Sequence, residues 1–354
     1  MRSIDLTAGG GPATIPRVEA DIARYLQLRL PASAVKVSHL TRIPGGASRE
    51  TWMFKAVWED EGGRRSQEFV LRRDPPASLV ESERTLEYTF YRAFQDSPVP
   101  VPRMRWLETD PAHLGAPFFV MDRIGGCEAS WRTLIDPSFA ESRARIARRM
   151  YEVLGQIHLF DWTRSEIPGV IDPPDPAECW KRELDYWEGM IDANELSPQP
   201  IARAAIRWLR SNPPPPPKRV TVVHGDYRTG NFLYDSEDIR GVVDWEMAHL
   251  GDPLEDLAWS FMEAWEWARD GKKGGIIDRE EAIQVYEQTV GEPVDRDALH
   301  WWEVFSGVKG QGIWLTGAKS FQDGRTPELM MPFTAYWLTN FQDEIILRTL
   351  GRGA

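Results

Sequence analysis

Thiols are nearly absent from this chain: Cys127 and Cys179 are the only two in 354 residues, and they stand in unrelated contexts. Neither a disulfide framework nor a thiolate zinc site can be read from them. Histidine is almost as sparse. Its six residues are scattered, which argues against a metal-dependent hydrolase built on His224, Asp226, Asp244 and His249, because such a site needs clustered imidazoles. No segment approaches the ~20 consecutive apolar residues that cross a bilayer, and the opening MRSIDLTAGGGPATIP has no apolar signal core. A cytoplasmic protein with no membrane partner is expected. Basic excess is missing too. Lys and Arg number 42 against 54 Asp and Glu, a net charge of -12, and no basic stripe with interleaved aromatics tracks a nucleic-acid backbone. Nucleic acid is not the expected partner.

What is present is the composition of an ordinary globular protein, 42% apolar and 27% charged, in a chain long enough for two lobes. Residues 17–28 carry apolar positions at helical spacing. Short β-rich runs at 35–40, 52–58 and 67–71 follow, separated by Pro-Gly-Gly and Glu-Asp-Glu-Gly-Gly, and predict an antiparallel meander. Residues 81–95 place Leu86, Phe90 and Phe94 on one helix face that could pack on that sheet. The apolar strand in LGAPFFVMDRIGG then runs into two glycines, a hinge signal, so a first lobe is expected over 1–123 and a second over 124–354. The second reads as mostly helical, with Ile146, Met150, Leu154 and Ile157 along one face. Residues 212–218, NPPPPPK, cannot be helix interior and must stop one.

The chemistry concentrates in HGDYRTGNFLYDSEDIRGVVDWEMAHLGDP, residues 224–253. RVTVVHGD predicts a strand delivering His224 and Asp226 to a loop, RGVVDWE a second strand delivering Asp244, and the two are expected to form a hairpin-like pair. Asp226 precedes Asn231 by five positions, the separation of Asp and Asn in the kinase catalytic loop, and Asp244 follows where a metal-binding Asp would stand. One carboxylate can accept or orient the proton of an attacking hydroxyl. A second carboxylate and an amide oxygen can hold magnesium against nucleotide phosphates.

With HGDYRTGNFLY, GVVDWEMAHLGDPLEDLAW and the upstream sheet, the chain resembles the aminoglycoside phosphotransferase and choline kinase family from about Val35 onward. The resemblance implies an α+β, bilobal, protein-kinase-like fold, with a small antiparallel-sheet lobe that binds nucleotide and a larger, mostly helical lobe. It implies ATP (or GTP) and Mg2+ as cofactors and a small-molecule hydroxyl acceptor as partner. By it Asp226 is the catalytic base, Asn231 and Asp244 are metal ligands, His224 supports the loop by hydrogen bonds, and Asp256 is the loop's buried partner. IPGGASRET aligns with the family's phosphate-covering loop, giving Gly45, Gly46 and Ser48 as backbone donors, although Pro-Gly-Gly also serves as a plain turn. Where the family presents a lysine clamping the α and β phosphates, FVLRR has Arg72, with Glu87 as its expected ion-pair partner. Asp122 and Ile124 occupy the hinge positions whose backbone would hold adenine.

The acceptor is less legible. Glu255, Glu263 and Glu266 alternate with Trp259, Trp265 and Trp267, and acidic aromatic pockets suit cationic sugars or quaternary ammonium groups; the same pattern fits an amphipathic helix with core tryptophans. FVLRRDPP, VPVPRM and LGAPFFVMDRIGG look like the branch of the family associated with acyl-CoA dehydrogenases, which implies a hydroxyacyl-CoA acceptor phosphorylated at a 4-hydroxy group. Arg143, Arg145, Arg148 and Arg149 would then be candidates to meet CoA phosphates, or else form a solvated helix face. Arg72 and the irregular glycine loop keep a non-catalytic nucleotide-binding pseudokinase as an alternative.

Overall fold

A computed structural model describes residues 15–32, 34–43, 50–73, 84–266, 269–326 and 329–351. The chain divides into two compact units. Described residues up to Arg73 join Met104–Arg123 in the first, and those of 84–103 join Ile124 onward in the second. The α+β, kinase-like architecture is therefore present, with a five-stranded antiparallel sheet in one unit and helices dominating the other.

In the first unit, helix α1 (Ile15–Arg29) leads into β1 (Val35–Ile43), β2 (Glu50–Asp60) and β3 (Gly63–Arg73), followed later by β4 (Met104–Glu108) and β5 (Phe118–Asp122). The sheet order is β1-β2-β3-β5-β4. Strand β2 alternates strictly: Trp52, Phe54, Ala56 and Trp58 are buried while their neighbours are not, so one face of the sheet is apolar. Val18, Ile22, Tyr25 and Leu26 of α1, spaced to form one helix face, join those residues in a single core.

The second unit begins with α2 (Arg84–Phe94). Contrary to the expectation that it packs on the sheet, α2 groups with the helical unit. Its aromatic face meets Trp245, with ring centroids 4.8 Å away for Phe94 and 6.4 Å for Phe90. The remaining helices are α3 (Trp131–Ile135), α4 (Ala140–Leu159), α5 (Cys179–Asn194), α6 (Pro200–Ser211), α7 (Leu254–Ser260), α8 (Arg279–Val290), α9 (Arg296–Gln322) and α10 (Met330–Gly351). In α4 the predicted stripe of Ile146, Met150, Leu154 and Ile157 is fully buried. Helix α6 ends at Ser211, where the proline run begins. Helix α9 is buried along most of its length, and its glycines admit neighbours closely: a Cβ on Gly310 would lie 2.9 Å from the Gln342 side chain of α10.

Four short strands flank the predicted site residues: β6 (Thr221–Val223), β7 (Phe232–Tyr234), β8 (Ile239–Val242) and β9 (His249–Gly251). The strands before His224 and before Asp244 do not pair with each other. Instead β6 pairs with β9, and β7 with β8, in two antiparallel ladders. The link between them is made by loop atoms: the Val243 N–H donates to the Asn231 carbonyl (2.8 Å), and His224 Nε2 lies 3.0 Å from the Val243 carbonyl.

Candidate active site

The loop after β6 is built around a buried carboxylate. Asp256, on α7, accepts the backbone N–H groups of His224 (2.6 Å) and Gly225 (2.9 Å), and its Oδ2 also lies 3.4 Å from His158 Nε2. Burial alone would raise the pKa of Asp256; His158, His224 and the backbone donors outweigh it and hold the carboxyl below its usual value. His224 is fully buried. Its Nδ1 accepts the Asp226 N–H (3.2 Å), so its single proton is on Nε2 and is donated to the Val243 carbonyl. Burial lowers its pKa despite the nearby acids, in keeping with a neutral ring. His224 and Asp256 thus brace the loop through hydrogen bonds. Gly225 is required by geometry: its φ is +82°, and a Cβ would stand 2.3 Å from the Met247 carbonyl oxygen.

This bracing aims Asp226. Its Oδ1 accepts Trp259 Nε1 (2.8 Å) and Arg228 Nε (3.0 Å), and its Oδ2 accepts Asn231 Nδ2 (2.6 Å). Oδ1 is thereby doubly occupied, and Oδ2 keeps the freer lone pair for a proton. Asn231 Nδ2 also donates to the Asp226 carbonyl (2.8 Å), which commits the nitrogen side of the amide to the loop and leaves Oδ1 as the side-chain atom able to bind a cation. Asp244 sits at φ +71°, ψ +51°, a left-handed conformation that costs a non-glycine residue about 1 kcal/mol or more and that redirects its side chain from the line of β8. The Tyr91 hydroxyl holds its N–H at 2.8 Å. An amide oxygen and a carboxylate form the hard-oxygen donor set that suits Mg2+.

Sequence reasoning missed a second buried layer under this loop. Lys309 of α9 donates to the Gly225 carbonyl (2.5 Å) and to Glu255 Oε1 (2.8 Å), and its ammonium lies 4.9 Å from the Trp259 ring centroid. His249 Nε2 stands 3.1 Å from Glu255 Oε2 and 3.6 Å from Glu183, while its Nδ1 faces the Met247 carbonyl at 3.0 Å. Burial pulls the His249 pKa down, but Glu183 and Glu255 outweigh it and raise it to about 9. Burial pushes Glu255 up, yet Lys309 and His249 bring it down to about 2. Glu183, His249 and Glu255 are spaced as metal ligands could be. With Lys309 and Arg182 also on these carboxylates, three cations already answer two acids, and the group reads as an ion-pair network.

The acids that suggested a cationic acceptor are paired internally: Glu255 with Lys309, Glu263 with Arg348 (2.8 Å), Glu266 with the buried Lys273. Trp259 and Trp265 are buried in one cluster with Met262 and Ile345, and Trp267 lies outside the described residues. The four α4 arginines are committed as well. Arg143 donates to the Leu134 and Asp136 carbonyls, Arg145 to those of Ser236 and Glu237, Arg148 to Glu281, and Arg149 to Asp238. They form a structural face.

Of the remaining predicted residues, Gly45, Gly46 and Ser48 lie outside the described residues. Arg72 is buried on β3, in register with Thr51 and Phe119. Glu87 belongs to the other unit, where its carboxylate accepts Arg84 Nη1 at 2.8 Å. Asp122 ends β5 with its carboxylate locked by Gln67 Nε2 (2.6 Å) and Arg105 Nε (2.6 Å), and Ile124 opens the second unit with its side chain against Gly241.

The model of the phosphotransferase enzyme family matches residues 39–311. Acyl-CoA dehydrogenase family member 10 of Mus musculus is 27% identical over 288 residues, covering 77% of this chain and 26% of that protein, so the chain spans about a quarter of the relative's length. A Ralstonia eutropha JMP134 crystal structure, provisionally named an aminoglycoside phosphotransferase, shares the fold with a TM-score of 0.73 at 22% identity, covering 94% of this chain and 98% of its own. A thermostable mutant of aminoglycoside phosphotransferase APH(4)-Ia, in ternary complex with AMP-PNP and hygromycin B, aligns with a TM-score of 0.59 at 19% identity over 93% of this chain and 98% of its own. The chain belongs to the phosphotransferase enzyme family.

Proposed function

We propose that the protein is a small-molecule kinase that moves the γ-phosphoryl group of ATP to a hydroxyl, with Asp226 as base and Asn231 and Asp244 as magnesium ligands. The observation that carries this is the Asp226 carboxylate itself. Its Oδ1 is fixed by Trp259 and Arg228 and its Oδ2 by Asn231, so one oxygen is presented in a set orientation. A carboxylate so held can orient an attacking hydroxyl and take its proton as the oxygen–phosphorus bond forms. Magnesium would supply charge neutralisation for the phosphates, held by Asn231 Oδ1 and the Asp244 carboxylate. Nucleotide use is supported by the AMP-PNP in the APH(4)-Ia complex, whose fold this chain shares. Residues 1–123 are assigned to nucleotide binding, with Arg72, Glu87, Gly45, Gly46, Ser48 and the backbone of Asp122 and Ile124 as contacts, and 124–354 to catalysis and acceptor binding. A cytoplasmic location fits this use of ATP.

Among acceptors, pairing of Glu255, Glu263 and Glu266 with internal cations removes the main argument for a cationic aminoglycoside-like or choline-like compound. The alternative, a 4-hydroxyacyl-CoA, draws support from relatives named for acyl-CoA dehydrogenases. The test is incubation with γ-labelled ATP, Mg2+ and separate pools of hydroxyacyl-CoAs, aminoglycosides, choline-like alcohols and sugars. Label in the hydroxyacyl-CoA pool is expected. Nucleotide binding without transfer to any pool would instead establish a pseudokinase.

A further inference from the structure

We propose that Arg228 is a second catalytic group, a fixed cation beside Asp226 that donates to an oxygen of the phosphoryl group in transit. The proposal rests on the reading of Asp226 as base and extends it. Three contacts immobilise the side chain. Nε donates to Asp226 Oδ1 at 3.0 Å, Nη1 donates to the Thr229 carbonyl at 3.3 Å, and the guanidinium lies over the Trp265 ring, 4.7 Å from its centroid. Trp265 is buried and meets Trp259 edge to face at 5.5 Å, and Trp259 donates to the same Oδ1. Guanidinium, carboxylate and two indoles thus close a ring of contacts.

Orientation of Asp226 does not call for this arginine, because Trp259 already fixes one oxygen and Asn231 the other. What the arrangement adds is the remaining edge of the guanidinium, Nη2, which engages no hydrogen-bond partner among the described residues on a side chain that is 24% exposed. A base lies about 2.6–3.2 Å from the hydroxyl it serves, and that oxygen attacks from about 3–3.5 Å. The phosphoryl oxygens therefore pass roughly 5–7 Å from the Asp226 carboxylate, within reach of a guanidinium bonded to it. In the step, the acceptor oxygen bonds to phosphorus, the bond to the β-phosphate bridging oxygen breaks, and the hydroxyl proton goes to Asp226. Arg228 stays protonated throughout and stabilises the charge on the transferring group.

The acceptor need not be known to test this. Titration of the full-length protein with Mg2+ and ADP, with and without aluminium fluoride as a mimic of the phosphoryl group in flight, gives the increment in affinity due to the mimic. In the unmodified protein that increment should be tenfold or more. Arg228→Met should bind Mg2+–ADP within about threefold of the unmodified protein yet lose most of the increment, and Arg228→Lys should recover part of it. Arg228→Gln, of similar polarity, decides the matter if the methionine variant does not fold. Retention of the full increment in Arg228→Met or Arg228→Gln overturns the role of Arg228 alone. Absence of any increment in the unmodified protein overturns the phosphoryl-transfer reading of the site, and this inference with it.

Discussion

Replacing Lys309 with methionine tests the buried layer under the loop that carries Asp226. The side chain is 1% exposed and its partner Glu255 is fully buried, so solvent screening offers little relief when the ammonium is removed. Methionine matches the length and apolar stem of lysine, which confines the damage to charge and hydrogen bonding. Left behind are a buried carboxylate with only His249 to answer it and the Gly225 carbonyl without its donor. Breaking a buried pair from one side costs about 3–5 kcal/mol, which for a unit of this size corresponds to roughly 6–20 °C in Tm. The double variant Lys309→Met, Glu255→Leu removes the stranded charge and should be less destabilised than the sum of its parts, with a coupling of about 1–3 kcal/mol. Urea unfolding at pH 7, followed by tryptophan fluorescence, measures all three variants under one protocol. A single variant within about 0.5 kcal/mol of the unmodified protein, or strict additivity in the double, would refute the claim that this pair carries the loop.

Other consequences can be measured on the same protein. Gly225→Ala should lose several kcal/mol of stability or fail to fold, since its Cβ would meet the Met247 carbonyl at 2.3 Å in a left-handed backbone; an unchanged Tm contradicts the close approach. The His249 pKa is raised to about 9, so its contribution is fully present below the unfolded value near 6.5 and is lost as pH rises through 9. Stability should therefore fall between pH 7 and pH 10, and His249→Gln should flatten that fall; parallel pH profiles for the two proteins would dismiss the ion-pair assignment. Asp226→Asn should slow phosphoryl transfer by on the order of 10²- to 10⁴-fold with nucleotide affinity nearly unchanged, whereas Asp244→Ala should abolish the magnesium dependence of nucleotide binding. Calorimetric titration with and without Mg2+ separates the two, and an equal loss of nucleotide binding in both would remove Asp226 from its proposed role.

What could be read from the sequence follows the range of the interactions. Asp226 and Asn231 belong to one loop, so a five-residue spacing captured their association, and the alternation of β2 and the stripe of α4 are local periodicities that burial enforces. Strand partners are not local. β6 finds β9 and β8 finds β7, and neither the apolar run before His224 nor the one before Asp244 encodes that choice. The phenylalanines of α2 were visible as an apolar face, but Trp245, which receives them, lies about 150 residues on. One signal for Lys309 was available: it is the only charged residue between Val304 and Ala318, a stretch of the helix otherwise uncharged and mostly apolar or small, and an isolated charge in such a stretch calls for a buried counterpart.

The acidic, tryptophan-rich segment that follows Asp252 shows why composition is a poor guide to selectivity. Glu255, Glu263 and Glu266 look like a cation trap when only residues 254–267 are in view, because the cations that answer two of them are supplied from far along the chain, Lys309 from α9 and Arg348 from α10. The third, Lys273, is seven residues on from Glu266, and the residues between them carry no signal that the two side chains meet. A carboxylate recognises a cationic ligand only if its charge is not already spent, and a buried one almost never remains unpaired. Charge selection must therefore be judged on pairs, and once Glu255, Glu263 and Glu266 are counted with Lys309, Arg348 and Lys273, none of the three argues for a cationic ligand.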